Sequence, residues 1–228
     1  MKVTILGSGA VGQALATRVN ELGHEVCMAT RDPEITRSRT EPNPFNGISF
    51  SAWHAKNPEI RLCAFPEVSP DTDLLVNATA GMYSLEALEA VGAAALSGKT
   101  LLDVANPLDF TRGFPPSLTV CNTDSLGEQI QRRYPDSHVV KALNTLNFNV
   151  MVTPELVPGE HQVFLCGNHA GAKRQVSGLL QEMGWPAHRI LDLGGIESSR
   201  GTEMLMPMTF SLMGALGSPI MNYHIERP

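Results

Sequence analysis

The chain has 228 residues, is 43% hydrophobic and carries a formal net charge of −6, enough to bury one full core as one domain, or one domain with a helical extension. The acidic balance, with no basic stretch or basic face interleaved with aromatics, excludes nucleic acid as an expected partner. No apolar run is long enough to span a bilayer, and residues 1–12 read as a strand entering a turn rather than a signal peptide, so no membrane partner and a cytoplasmic setting are expected.

The first predicted element, residues 2–6 (KVTIL), is a short β-branched run that reads as a buried strand. It enters Gly7-Ser8-Gly9-Ala10-Val11-Gly12, a complete G-x-G-x-x-G. A helical pattern follows, with Val11, Leu15, Val19 and Leu22 on one face and Gly23 as its C-cap. A second strand, 25–29, ends at Thr30-Arg31. Strand, glycine turn, helix and strand together form the context of a dinucleotide-binding fingerprint. Gly7 permits the tight turn, Gly9 leaves room for a pyrophosphate, and Gly12 lets helix and sheet approach. The first helical turn then offers free N–H groups and a positive dipole end to phosphate.

The end of the second strand separates NAD from NADP. An NAD site places Asp or Glu there for the ribose 2′-hydroxyl; this chain places Thr30 and Arg31. A guanidinium matches a 2′-phosphate, and a charged hydrogen bond of about 1.5–3 kcal/mol corresponds to roughly ten- to a hundredfold preference for NADP. Asp32-Pro33 reads as the N-cap and N1 pair of a further helix. Arg37 and Arg39 read equally as added positive charge or as solvated loop arginines.

Beyond an irregular stretch through Pro42, Pro44 and Gly47, the pattern predicts a short helix at 51–56 and strands at 60–65 and 73–78. A helix capped by Ser84 runs to Leu96, where Gly98 ends it. Further strands are expected at 100–105 and 138–143, with a helix between them from Asp124-Ser125 to Tyr134. Apolar, non-alternating strands in a β-α-β rhythm imply an α/β fold of Rossmann type: a doubly wound, mostly parallel sheet with a small C-terminal helical extension. Ligands in such sheets sit beyond the carboxyl ends of the strands. The loops 79–83, 106–110 and 144–148 are therefore candidates to hold a nicotinamide and a second ring, with Met82, Leu108, Asn144 and Thr145 on the substrate side.

The last third reads as a strand at 162–166, a helix at 170–183 and a strand at 190–193. A Met-rich helix at 199–216, interrupted by Pro207, shows no clear polar face, which suggests burial on several sides and a subunit interface. The expected division is a nucleotide-binding domain over 1–145 and a smaller portion over 146–228. Cys27, Cys63, Cys121 and Cys166 are scattered without C-x-x-C and read as buried free thiols. The histidines show no metal-ligand spacing, and no G-x-S-x-G elbow is present.

With the glycine loop, Thr30-Arg31-Asp32-Pro33, the Asn106-Pro107 turn and Cys166-Gly167-Asn168 in view, the chain resembles the NADP oxidoreductases that exchange hydride with the deazaflavin coenzyme F-420. It is similar too to the cytosolic reductase domain of the six-transmembrane metalloreductases. The resemblance covers nearly the whole chain. It implies NADP(H), a hydride acceptor or donor such as coenzyme F-420 or a flavin as co-substrate, and a homodimer built on C-terminal helices. It also implies that Ser8 and Val11 meet the pyrophosphate and that Thr30 and Arg31 meet the 2′-phosphate. Ala78, Thr79, Asn106 and Pro107 would flank the nicotinamide. Ile35 stands about where the archaeal enzymes place a lysine, and the substrate loops depart from theirs.

Direct hydride transfer needs alignment of two rings rather than a catalytic side chain, and none is assigned. A reductase of small imines, ketones or hydroxy acids would need a proton donor, for which Lys141 is the nearest candidate, although a strand lysine more often reads as a surface charge. The remaining alternative is an NADP-binding protein without turnover.

Overall fold

In the computed structural model, which describes residues 1–227, the apolar runs become the strands of one sheet. The first half comprises β1 (Lys2–Leu6), α1 (Ala10–Glu21), β2 (Glu25–Thr30), α2 (Pro33–Arg37), α3 (Phe50–Lys56), β3 (Arg61–Ala64), β4 (Leu74–Asn77), α4 (Ser84–Val91), α5 (Ala93–Leu96) and β5 (Thr100–Asp103). The second half adds β6 (Leu108–Asp109), β7 (Ser117–Leu118), α6 (Leu126–Arg133), β8 (His138–Ala142), α7 (Phe148–Val152), β9 (Val163–Gly167), α8 (Ala170–Glu182), β10 (Ile190–Asp192) and α9 (Ser199–Leu216).

Eight strands pair in the order β10-β9-β8-β5-β4-β1-β2-β3, while β6 and β7 form a separate small hairpin. The six strands from β3 to β8 run parallel. The chain winds outward from β1 to β3, then returns to place β4 on the other side of β1. The crevice between the carboxyl ends of β1 and β4 is thus the switch point where ligands of open α/β sheets bind.

β9 departs from the parallel rhythm: it pairs antiparallel with β8 through Val140↔Gly167, and β10 then runs parallel to β9. A parallel pair needs a crossover returning the chain to the start of the sheet. The link after β8 contains only the short α7 and a single 3-10 turn at Pro154–Leu156, so β9 starts beside the end of β8. The expected helix from Ser84 to Leu96 is two helices, broken at Gly92, whose φ of 90° is left-handed. Ser84 is also not its cap: it lies inside α4, its hydroxyl turned into the core.

Both faces of the sheet are covered. Leu15, Val19, Trp53, Val150, Leu180 and Trp185 pack on one side; Leu88, Leu96, Leu126, Ile130 and Tyr134 pack on the other. The thiols differ from the expectation of burial: Cys166 is buried, Cys27 and Cys63 are half-buried, and Cys121 is exposed because it lies in an irregular turn rather than a strand.

The Met-rich helix also inverts its expected arrangement. The buried stripe of α9 is Ser199, Thr202, Glu203, Met206 and Thr209, whereas Met204, Met208 and Leu216 are exposed. A buried ion pair explains this: Glu203 is drawn inward by Lys141, and the apolar side chains one step around the helix turn outward. No helix among the described residues is long and apolar enough to cross a membrane.

Candidate functional site

The glycine turn is built by close backbone approach. Gly7 has φ 109°, and a Cβ on it would lie 2.6 Å from the Ala78 carbonyl oxygen; one on Gly12 would lie 2.1 Å from that of Gly7. Gly9, the N-cap of α1, differs: a Cβ there would meet nothing within 4 Å. No side chain caps the helix, and its first turn carries no acidic residue. Open space before uncapped N–H groups and a positive dipole end fits a diphosphate. Arg39 adds a cation, its Nη2 donating to the Ser8 hydroxyl and its guanidinium resting 5.2 Å from the Phe50 ring centroid.

At the end of β2 the structure divides the two residues expected at the 2′-phosphate. Thr30 is buried, and its hydroxyl shares a 2.7 Å hydrogen bond with that of Thr36, so packing turns it away from solvent. The Arg31 side chain is 75% exposed and only loosely paired with Glu86 at 3.4 Å. A pair so exposed contributes about 0–1 kcal/mol, leaving the guanidinium available to an incoming phosphate. Asp32 is not a ribose ligand: its carboxylate accepts from the Ile35 N–H at 2.9 Å and caps α2. Arg31 and Arg39 thus stand exposed at the end of β2 and beside Ser8, and the neighbouring Asp32 carboxylate is engaged through Oδ1 in the α2 cap.

From Gly9, Ala10 and Val11 a cavity of about 380 Å³ runs across the carboxyl ends of β4, β5 and β8 to α9. Ala78, Thr79, Met82, Asn106, Leu108 and Asn144 line it as the sequence indicated. The 79–83 and 106–110 loops meet tightly, since a Cβ on Gly81 would lie 2.0 Å from the Asn106 carbonyl oxygen. Pro107 and Thr145 do not line the cavity. The Pro107 carbonyl instead accepts from the Thr119 N–H at 2.8 Å and anchors the small hairpin, and Thr145 is buried behind Asn144.

Apart from Phe148, which belongs to the expected 144–148 loop, the far wall comes from residues outside the loops expected at the site. Met206, Thr209, Phe210 and Met213 line it from α9, Phe148 and Met151 from α7, and Asn43 and Phe45 from the irregular loop. The first four follow the i, i+3, i+4, i+7 spacing of one helical face, a signal present in the sequence but merged there with the other methionines. Asn and Thr are the polar lining side chains, and no charged side chain among the described residues lines the cavity.

Behind the wall runs a buried polar chain. The Thr79 hydroxyl donates to Asn77 Oδ1 at 2.7 Å, and Asn77 Nδ2 donates to Asp103 Oδ1 at 2.8 Å. Lys141 Nζ meets Asp103 Oδ2 at 2.8 Å and Glu203 Oε1 at 2.7 Å, its side chain 0% exposed. This corrects the reading of Lys141 as a surface charge or proton donor: it sits inside the sheet and outside the cavity. Burial alone would lower its pKa, but Asp103 and Glu203 together outweigh burial and raise it. Glu203 also accepts the N–H groups of Leu126 and Gly127 at the start of α6, at 2.9 and 3.1 Å. One carboxylate thus fixes α9, α6 and β8 together, and with them the far wall.

The profile of the family described as "NADP oxidoreductase coenzyme F420-dependent" matches residues 2–107. A candidate F420-dependent NADP-reductase of Arthrobacter sp. FB24 is 47% identical, each chain covering all of the other, with a TM-score of 0.93. The chain belongs to the coenzyme F420-dependent NADP oxidoreductase family. Metalloreductase STEAP3 of Rattus norvegicus is 28% identical over 205 residues, which are 90% of this chain and 36% of that protein. This oxidoreductase thus spans about a third of the length of the curated relatives it matches. The NADPH4-bound reductive aminase of Aspergillus terreus shares the fold, at 16% identity and a TM-score of 0.62, covering 95% of this chain and 62% of that one. By family, the chain is an NADP-dependent oxidoreductase.

Proposed function

We infer that this oxidoreductase passes hydride between NADP(H) and a flavin-like ring, such as the deazaflavin coenzyme F-420, held in the cavity beyond the strand ends. The observation that carries this reading is the cavity itself: mostly apolar, uncharged, continuous with the glycine turn, and within the roughly 300–1,000 Å³ of small-ligand sites. NADPH, when bound, would supply a hydride, two electrons with one proton, to an oxidised ring, whose second proton would come from solvent once the reduced ring leaves the cavity.

The chain's own residues bind, orient and exclude water. The α1 N–H groups and Arg39 hold phosphate, while Arg31 selects the 2′-phosphorylated ribose. Phe148, Met151, Met206 and Phe210 offer flat apolar surface for a ring and keep bulk water out. Hydride transfer needs its two carbons about 3–3.5 Å apart and aligned, which rigid walls achieve without an acid or base. The rival reduction of imines, ketones or hydroxy acids needs a proton donor in the cavity; its candidate, Lys141, is sealed between two carboxylates.

The proposed assembly is a homodimer through the outer face of α9. Met204, Met208 and Leu216 are exposed there. Adjacent exposed apolar side chains mark an interaction surface. The proposed setting is the cytoplasm, where the four thiols stay reduced.

The test mixes the protein anaerobically with NADPH and oxidised F-420, FMN or FAD and follows the nicotinamide absorbance. Oxidation with at least one acceptor is expected. Tight NADPH binding with no oxidation by any acceptor would leave a nucleotide-binding protein without turnover.

A further inference from the structure

The end of β8 is shaped to aim one side chain. Leu143 is buried and has a φ of 64°, a left-handed conformation that a γ-branched residue adopts only where its surroundings enforce it. The next residue, Asn144, is 2% exposed and lies in the cavity wall.

Its amide has a determined orientation. Asn106 Nδ2 donates to the backbone carbonyl of Asn144 at 2.7 Å, and Asn144 Nδ2 donates to Asn106 Oδ1 at 2.9 Å. A backbone carbonyl only accepts, so Asn106 must direct its nitrogen there and its oxygen to Asn144. Asn144 must then answer with its nitrogen. Its Oδ1 receives no hydrogen bond from any described residue, and one N–H of Nδ2 is left over. The amide of this cavity-lining residue therefore keeps an acceptor beside a donor with no partner among the described residues, free to meet a ligand.

We propose that Asn144 is a specificity-determining residue that reads a lactam or imide edge, an N–H beside a C=O, on the hydride acceptor. An isoalloxazine or deazaflavin ring carries such an edge around N3. A quinone has acceptors only and leaves Oδ1 unsatisfied. A site built to bond a donor discriminates against an analogue lacking it far more strongly than an apolar pocket does. The proposal rests on the reading of the cavity as a flavin-type hydride site.

The test compares riboflavin and 5-deazariboflavin with their N3-methyl derivatives, and with menadione, as acceptors from NADPH. Methylation removes the donor and leaves the ring chemistry in place. The wild-type protein is expected to lose roughly ten- to a hundredfold in kcat/KM on N3 methylation. Asn144→Leu is expected to lose a similar factor on the parent rings and to treat parent and methylated rings alike, with its Kd for NADPH unchanged. The methylated acceptors test the wild-type protein directly, so the outcome does not depend on the variant folding. Equal efficiency with parent and methylated rings overturns the inference and keeps the flavin-type reading. An Asn144→Leu variant that loses NADPH affinity instead assigns the amide to the nicotinamide and also overturns it. Reduction of none of the parent rings, nor of F-420, removes both.

Discussion

Glu203→Leu is the sharpest test of how the far wall of the cavity is held. The substitution leaves buried Lys141 with Asp103, at 2.8 Å, as its one carboxylate beside the Ala105 carbonyl, and strips the acceptor from the N–H groups of Leu126 and Gly127. Breaking a buried pair by removing one partner costs about 3–5 kcal/mol, and each orphaned buried N–H about 1–3 kcal/mol. Lys141 keeps one carboxylate and the new leucine gains apolar burial, so the net expectation is about 3–5 kcal/mol, a large share of the roughly 5–15 kcal/mol of a typical domain. Urea unfolding followed by far-ultraviolet circular dichroism measures it. The double variant Lys141→Met/Glu203→Leu is expected to cost less than the sum of the single variants, because the two side chains share one network. A single-variant loss below about 1 kcal/mol, or strict additivity, would refute the claim that this ion pair seats α9.

Gly9→Val is expected to leave the fold intact, because its Cβ meets no atom within 4 Å, while weakening NADPH binding by at least about tenfold. Gly12→Ala, whose Cβ would lie 2.1 Å from the Gly7 carbonyl oxygen, is expected to lower Tm instead; thermal melts and titration calorimetry on both variants separate the two effects. Acid sensitivity is expected from Asp124, whose carboxyl is held down at about 2, chiefly by its hydrogen bond from Arg132. A depressed carboxylate contributes stability above its ordinary value of 3.8, and that stability is lost as pH falls through about 2. Asp124→Asn should therefore flatten the fall in urea midpoint across that window. Met208→Glu on the outer face of α9 is expected to convert a dimer to monomer in sedimentation velocity without altering NADPH affinity; an unchanged sedimentation coefficient would contradict the interface.

The strands and the glycine turn were legible because burial on both faces writes itself as apolar runs and backbone crowding writes itself as glycine. Less legible were features set by long-range partners. Lys141 reads as a surface charge until Asp103 and Glu203, 38 and 62 positions away in the chain, close around it. For the same reason α9 reads as apolar over most of its length, since nothing local shows that Glu203 faces inward. Thr30 carries the hydroxyl expected at a phosphate, yet Thr36 one helical turn into α2 claims it. Arg39 was indistinguishable from a solvated arginine because its partners, Ser8 and Phe50, are brought together only by the fold. The reversal of β9 follows from the shortness of α7, an element whose five residues give no usable periodicity.

Arg31 is the group proposed to read the 2′-phosphate of NADP(H). Its most direct test is a calorimetric titration of wild type and Arg31→Glu with NADPH and NADH. Wild type is expected to bind NADPH roughly ten- to a hundredfold more tightly than NADH, and Arg31→Glu to erase most of that gap by weakening NADPH alone. Equal affinities in wild type, or a variant that keeps the full preference, would contradict it.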